Sequence, residues 1–323
     1  VRYAVEQGFT VFMVSWRNVK AEQGHLTWDD YIANGVVKAI DLVRVITNVD
    51  KINALGFCVG GTLLASALAV LRRMGHDVVE SVTFMTTLLD FSDAGEVTSY
   101  INEDFIARRE EEVGHGGVVH GSDLAYAFTS LRANELIWNY VVGNYLKGTK
   151  PPAFDLLYWN SDATNLPGPW YAYYLRNMYS QNNLVKPDKL VMCGTPVDLS
   201  YVDMPAFVFA AREDHIVPWR TAYASAACLG GKTEFVLGAS GHIAGVVNPP
   251  AKHKRSYRFG VGPRVSNQQW LESSTEVEGS WWPRWIDWLK LHSGRMIPAR
   301  TGLGSAEFKP TEAAPGRYVQ EKA

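Results

Sequence analysis

Gly56-Phe57-Cys58-Val59-Gly60-Gly61 is the stretch whose reading decides the fold. Before it, Lys51 to Phe57 (KINALGF) reads as a strand. After it, Thr62 to Met74 (TLLASALAVLRRM) has helix-forming composition and stops at Gly75. A glycine two before and two after a cysteine, on a tight strand-to-helix turn, is the pattern of a strained elbow that presents a nucleophile. The turn crowds the neighbouring backbone, so small residues avoid clashes. The helix N-terminus brings unpaired N–H groups and a dipole that favour a thiolate. The bland reading of Cys58 is a small buried hydrophobe.

Working outward, Phe9 to Ser15 (FTVFMVS) is a continuous apolar run and predicts a strand buried on both faces of a parallel sheet. Apolar residues at Ile32, Val36, Ala39, Ile40 and Val43 recur at helical spacing, so Trp28 to Ile46 predicts a helix, with Asp29 and Asp30 suited to its first turn. Ser81 to Leu88 predicts a third strand. The rhythm then breaks from about Phe91 to Asp203 and resumes with a strand at Pro205 to Ala211, a helix near Thr221 to Leu229 and a strand at Thr233 to Leu237. Alternating strands and helices of these lengths imply an α/β protein with a doubly wound, mostly parallel sheet. The expected organisation is a first part of the core at 1–90, an inserted aromatic-rich cap or lid at 91–203, and a second part of the core with a C-terminal helix and tail at 204–323. Val1 to Gly8 reads as the end of a helix without an initiator Met, and the chain is expected to be a fragment lacking its N-terminal part.

Two more polar positions fall at strand ends. Arg212-Glu213-Asp214-His215 follows one strand, and Gly238-Ala239-Ser240-Gly241-His242 follows the next. Open α/β sheets place their sites at such carboxyl ends. The chain order nucleophile, acid, histidine is that of an α/β-hydrolase fold, so Cys58, Asp214 and His242 form one coherent catalytic triad. The structural alternatives are a surface-turn Asp and a loop His satisfied by backbone. His215 competes for the histidine role but adjoins the acid. The Val59 N–H is one expected oxyanion donor, and the second is expected upstream of Val1.

The chain of 323 residues is 47% hydrophobic, enough for a large core. A net charge of -2 and no long basic run argue against nucleic acid as a partner. Three scattered cysteines (Cys58, Cys193, Cys228) make no disulfide framework and show no zinc spacing, which suits a reducing cytoplasm. No apolar run is long enough for a transmembrane segment. No metal site, flavin site or phosphate loop is read from the residues, since Gly60-Gly61-Thr62 lacks a P-loop lysine.

The strings Gly56-Phe57-Cys58-Val59-Gly60-Gly61-Thr62, Asp155-Leu156-Leu157-Tyr158-Trp159-Asn160, Asn165-Leu166-Pro167-Gly168-Pro169-Trp170, Arg212 to Trp219 (REDHIVPW) and Gly238 to Pro250 (GASGHIAGVVNPP) together resemble class I polyhydroxyalkanoate synthases over nearly the whole chain. That resemblance implies an acyltransferase that polymerises (R)-3-hydroxyacyl-CoA, chiefly 3-hydroxybutyryl-CoA, into a polyester with release of CoA. It implies Cys58 as the acyl-carrying nucleophile, His242 as general base and Asp214 as the third member of the triad, also discussed as an activator of the substrate hydroxyl. It further implies no cofactor beyond the CoA of the substrate, a homodimer, and a cytoplasmic location on polymer granules. The enzymatic alternative is a Cys-His-Asp hydrolase, such as a thioesterase or a dienelactone-hydrolase-like enzyme. The non-enzymatic one is a granule-surface scaffold. Trp170 is read as packing, with substrate-channel or dimer contact second, and the Trp281, Trp282, Trp285 and Trp288 group as helical packing, with polymer or granule contact second.

Overall fold

The structure is a computed structural model that describes residues 1–151 and 162–321. The 155–160 string named above lies outside the described residues. The described chain divides into two compact units.

The first unit holds residues 1–14, 29–95 and 177–311. Its strands are β1 (Ile52–Phe57) and β2 (Val79–Met85), while β3 (Val118–Val119) and β4 (Leu166–Pro167) belong to the second unit. The first unit continues with β5 (Leu190–Met192), β6 (Thr195–Val197), β7 (Ala206–Ala211), β8 (Thr233–Gly238), β9 (Ser256–Val261) and β10 (Thr275–Glu278). One sheet runs in the order β1-β2-β7-β8-β9-β10. β1, β2, β7 and β8 are parallel, and β9 and β10 extend the sheet antiparallel.

Every residue of β7 is buried, as a strand covered on both faces requires. Phe207 and Phe209 share one face, where they pack with Trp281, Ile286, Trp288 and Leu289 from the C-terminal helix Trp282–Leu291 and the residue before it. On the neighbouring strand Phe235 turns the other way, edge-on to Tyr223 and Trp270 of two further helices. The sheet therefore carries helices on both faces. The helix Val59–Arg73 is buried from Gly61 to Leu71, which its Ala- and Leu-rich composition permits. Its polar groups are paired, with Thr62 donating to the Leu88 carbonyl and Ser66 to that of Thr62.

The expected strand at Phe9 to Ser15 is not one: residues 9–20 carry no strand assignment, and the sheet begins at β1. Phe12 and Val14 are exposed and Met13 is 72% exposed, as is Leu55 of β1 at 47%. An apolar run reports a strand's appetite for burial, but a strand also needs a ladder partner for its backbone groups. Among the described residues this run has none. The helix expected from Trp28 forms in pieces, with a wider-wound stretch at Tyr31–Val37 leading into Lys38–Thr47.

The second unit holds residues 15–28, 96–176 and 312–321 of the described chain. The break from the core rhythm is thus shorter than 91–203. Residues 177–203 pack with the first unit, where Asn182 accepts from the Phe91 N–H and donates to Asp90, and Arg73 pairs with Asp188. Within the second unit, Arg176 pairs with Glu103 and Glu110. Trp28 stacks on Trp170, with centroids 4.9 Å apart. Asn165 receives the Gly121 N–H and donates to the Val19 carbonyl, so the Asn165 to Trp170 string is a packing element of this unit. No helix among the described residues is long and apolar enough to cross a membrane.

Candidate active site

Cys58 sits between the end of β1 and the first turn of Val59–Arg73, with φ 51° and ψ -128°. A non-glycine residue there is strained, a conformation that persists only when its surroundings over-determine it. Two contacts do so. The Cys58 N–H donates to the Met85 carbonyl at the end of β2, and its carbonyl accepts from the Gly61 N–H, both at 2.9 Å. A Cβ on Gly56 would stand 2.5 Å from the Gly61 Cα, and one on Gly61 would stand 2.1 Å from Thr87 Oγ1. Gly60, two residues after the nucleophile, has open space where its Cβ would be. The close approach that demands glycine is therefore Gly56 to Gly61, and the expectation placed on Gly60 is corrected. Val59 opens the helix, so its N–H has no intrahelical acceptor by position.

Asp214 lies just past β7, where the Arg212 N–H donates to the Gly238 carbonyl and the Glu213 N–H to that of Ser240. These bonds lock the turns after β7 and β8 together. The Asp214 side chain is 0% exposed. Its Oδ1 accepts from the N–H groups of Ile216 and Val217, each at 2.9 Å, and its Oδ2 lies 2.6 Å from His242 Nδ1. These bonds satisfy a polar group taken out of water.

His242 is 9% exposed and makes an edge contact with the Phe57 ring. Burial alone would lower its pKa, but hydrogen bonds with Asp214 and Cys58, and the negative charge of both partners, outweigh it and push the imidazole up to about 10. With Nδ1 committed to Asp214, Nε2 is the ring nitrogen left for the Cys58 sulfur. It is His242, as expected, that meets the Asp214 carboxylate in this arrangement. Behind it, the Nε1 donors of Trp281 and Trp282 hold the carbonyls of Gly245 and Val246. Sequence reasoning read these tryptophans as packing, and Trp281 and Trp288 are buried; their role in bracing the histidine loop carried no local signal. Burial also raises the thiol pKa of Cys193, and that of Cys228 to about 11. Neither is a poised nucleophile.

The structure thus brings all three expected side chains together at the carboxyl ends of β1, β7 and β8, and a proton can pass between sulfur and imidazole while a carboxylate orients the ring. The family defined by that fold and site is also found by comparison. The chain belongs to the alpha/beta hydrolase fold family, whose model matches residues 1–249. More particularly, it is 53% identical over 328 aligned residues to the poly(3-hydroxyalkanoate) polymerase subunit PhaC of Cupriavidus necator, covering 100% of this chain and 56% of the relative. It is 42% identical to the protein of the same name from Rhizobium meliloti, covering 100% and 52%. The chain spans about half the length of the curated relatives it matches.

Proposed function

We propose that the protein is an acyltransferase that builds a polyester from (R)-3-hydroxyacyl-CoA, chiefly the 3-hydroxybutyryl thioester, and releases CoA. The observation that carries this reading is the 53% identity across the whole chain to a poly(3-hydroxyalkanoate) polymerase subunit, because a Cys-His-Asp site alone serves hydrolases equally well.

In this reading His242 has taken the Cys58 proton on Nε2, an imidazolium that its raised pKa favours, and the thiolate attacks the thioester carbonyl. The Val59 N–H donates to the oxyanion, a contact worth about 3 to 4 kcal/mol per donor. The carbon–sulfur bond to CoA breaks and the leaving thiolate recovers the proton from His242. A hydroxyl of the growing chain then gives its proton to His242 and attacks the acyl-Cys58, forming an oxygen ester and freeing the sulfur. Asp214 holds the imidazole in the tautomer both steps need. Exchange between thioesters is nearly isoenergetic, and transfer to oxygen makes the more stable ester, so the cycle runs toward polymer. Water is the competing acceptor, and its exclusion by the aromatic-rich inserted segment as a cap is part of the proposal. So are the homodimer, the granule surface and the cytoplasm as its setting. No cofactor is required beyond the CoA of the substrate.

The test is thiol release from (R)-3-hydroxybutyryl-CoA by the full-length protein, beside Cys58→Ser and His242→Gln, with the insoluble product weighed. Polyester with CoA release, lost in both variants, supports the synthase. Soluble hydroxyacid alone replaces it with the hydrolase, and unaffected variants overturn the triad.

A further inference from the structure

Between the loop that carries His242 and the start of β9, the chain reads Lys252-His253-Lys254-Arg255. All four residues are exposed, yet the turn is built rather than loose. The buried Asn248, 4% exposed, donates from Nδ2 to the carbonyls of Lys254 and Gly279. The Gly279 N–H in turn donates to the Arg255 carbonyl. His253 and Arg255 flank Lys254 with positive φ angles of 44° and 70°, conformations that cost energy in non-glycine residues. Arg255 turns its guanidinium back onto the Ala244 carbonyl, two residues past His242. That leaves Lys252 and Lys254 as the cations facing outward, and neither forms an ion pair among the described residues. The acid nearest in the ladder is Glu278, opposite Ser256, while Glu276 is taken by Arg258.

The position of this turn ties it to the catalytic end of the sheet. Tyr257 of β9 faces Gly238 of β8, and the Ala239 N–H donates to the Ser256 carbonyl. Chain reach then keeps the Cα atoms of Lys254 and His242 within about 23 Å of each other. CoA separates its sulfur from its phosphates by an extended pantetheine arm of that order. A rigid turn with two unpaired ammonium groups in a chain of net charge -2 is a local recognition point for a polyanion.

We infer that Lys252 and Lys254 bind the phosphate groups of the CoA thioester while its acyl group lies at Cys58. The assignment rests on the function proposed above and adds the residues that hold the carrier. Nothing in it involves bond making; it sets KM for the phosphate-bearing substrate.

The test uses the full-length protein and two thioesters with the same acyl group, (R)-3-hydroxybutyryl-CoA and its phosphate-free N-acetylcysteamine analogue. For Lys252→Gln with Lys254→Gln, the preference in kcat/KM for the CoA ester over the analogue should fall about tenfold, mainly through KM. Lys252→Arg with Lys254→Arg should restore it. Added salt should erode the preference in the unmodified protein and less so in the Gln variant. An equal loss on both esters would assign the lysines a structural role, and an unchanged preference with turnover intact would sink this assignment alone. Failure of the unmodified protein to turn over either ester would bring down the proposed function and this inference together.

Discussion

His242 Nδ1 and Asp214 Oδ2 stand 2.6 Å apart, with the Asp214 side chain fully buried and its other oxygen filled by two backbone N–H groups. No acceptor capacity on this carboxylate is left to solvent. Its charge is directed at one ring nitrogen, which commits the opposite nitrogen to the cysteine.

Asp214→Asn keeps the shape and can still accept the Ile216 and Val217 N–H bonds. Its amide, however, donates toward Nδ1 and forces the proton onto Nε2, where His242 can no longer take one from Cys58. Turnover should drop on the order of 10⁴-fold while the protein remains folded. Thiol release and a melting curve on the same preparation check both halves, and a variant within about tenfold of the unmodified rate would remove the carboxylate from the mechanism.

The raised imidazole pKa has a stability consequence with a definite sign. The folded state binds this proton more tightly than the unfolded chain, whose histidine titrates near 6.5, so the contribution is complete below about pH 6.5. It is lost as pH rises through about 10. The difference in Tm between the unmodified protein and His242→Gln should therefore shrink steadily across that window. A difference that grows with pH would reverse the assignment.

Gly60→Ala and Gly61→Ala separate the elbow's tight contact from its open side. Gly60 has room and lies in the first turn of a helix, so alanine there should be neutral or slightly stabilising. Alanine at 61 must displace Thr87, whose hydroxyl donates to the Met85 carbonyl, and should cost about 1 to 3 kcal/mol and much of the activity. Denaturant melts of the two variants, run in parallel, decide it.

Trp281→Phe keeps an aromatic ring on Phe209, whose centroid is 4.3 Å away, but removes the donor to the Gly245 carbonyl. The unpaired carbonyl should cost about 1 to 3 kcal/mol. Because Gly245 lies three residues after His242, kcat should fall more than KM rises. A loss confined to KM would place the tryptophan's effect elsewhere.

The positions of Cys58, Asp214 and His242 were legible in the sequence because each follows a short apolar strand, and such a strand advertises itself by local composition even where, as in β1, it is only partly buried. The same local rule misread Phe9 to Ser15, since hydrophobicity records what a segment would bury and not whether a neighbour offers it a ladder. β9 and β10 escaped notice for the converse reason: Ser256–Val261 and Thr275–Glu278 mix charged and apolar residues, and only pairing with β8 and with each other makes them strands. Residues 177–203 looked continuous with the inserted segment, and their bonds to Asp90, Phe91 and Arg73 place them with the core unit.

By itself, then, the sequence determined the α/β class, the chemical types of the three site residues and their order along the chain, because these depend on short-range patterns of burial and turn formation. Tertiary structure alone decided that Gly61 rather than Gly60 must lack a side chain, and that the indoles of Trp281 and Trp282 brace the histidine loop. Each depends on an approach of about 2 to 3 Å between segments far apart in the chain, which exists only once the sheet has set their strand ends side by side.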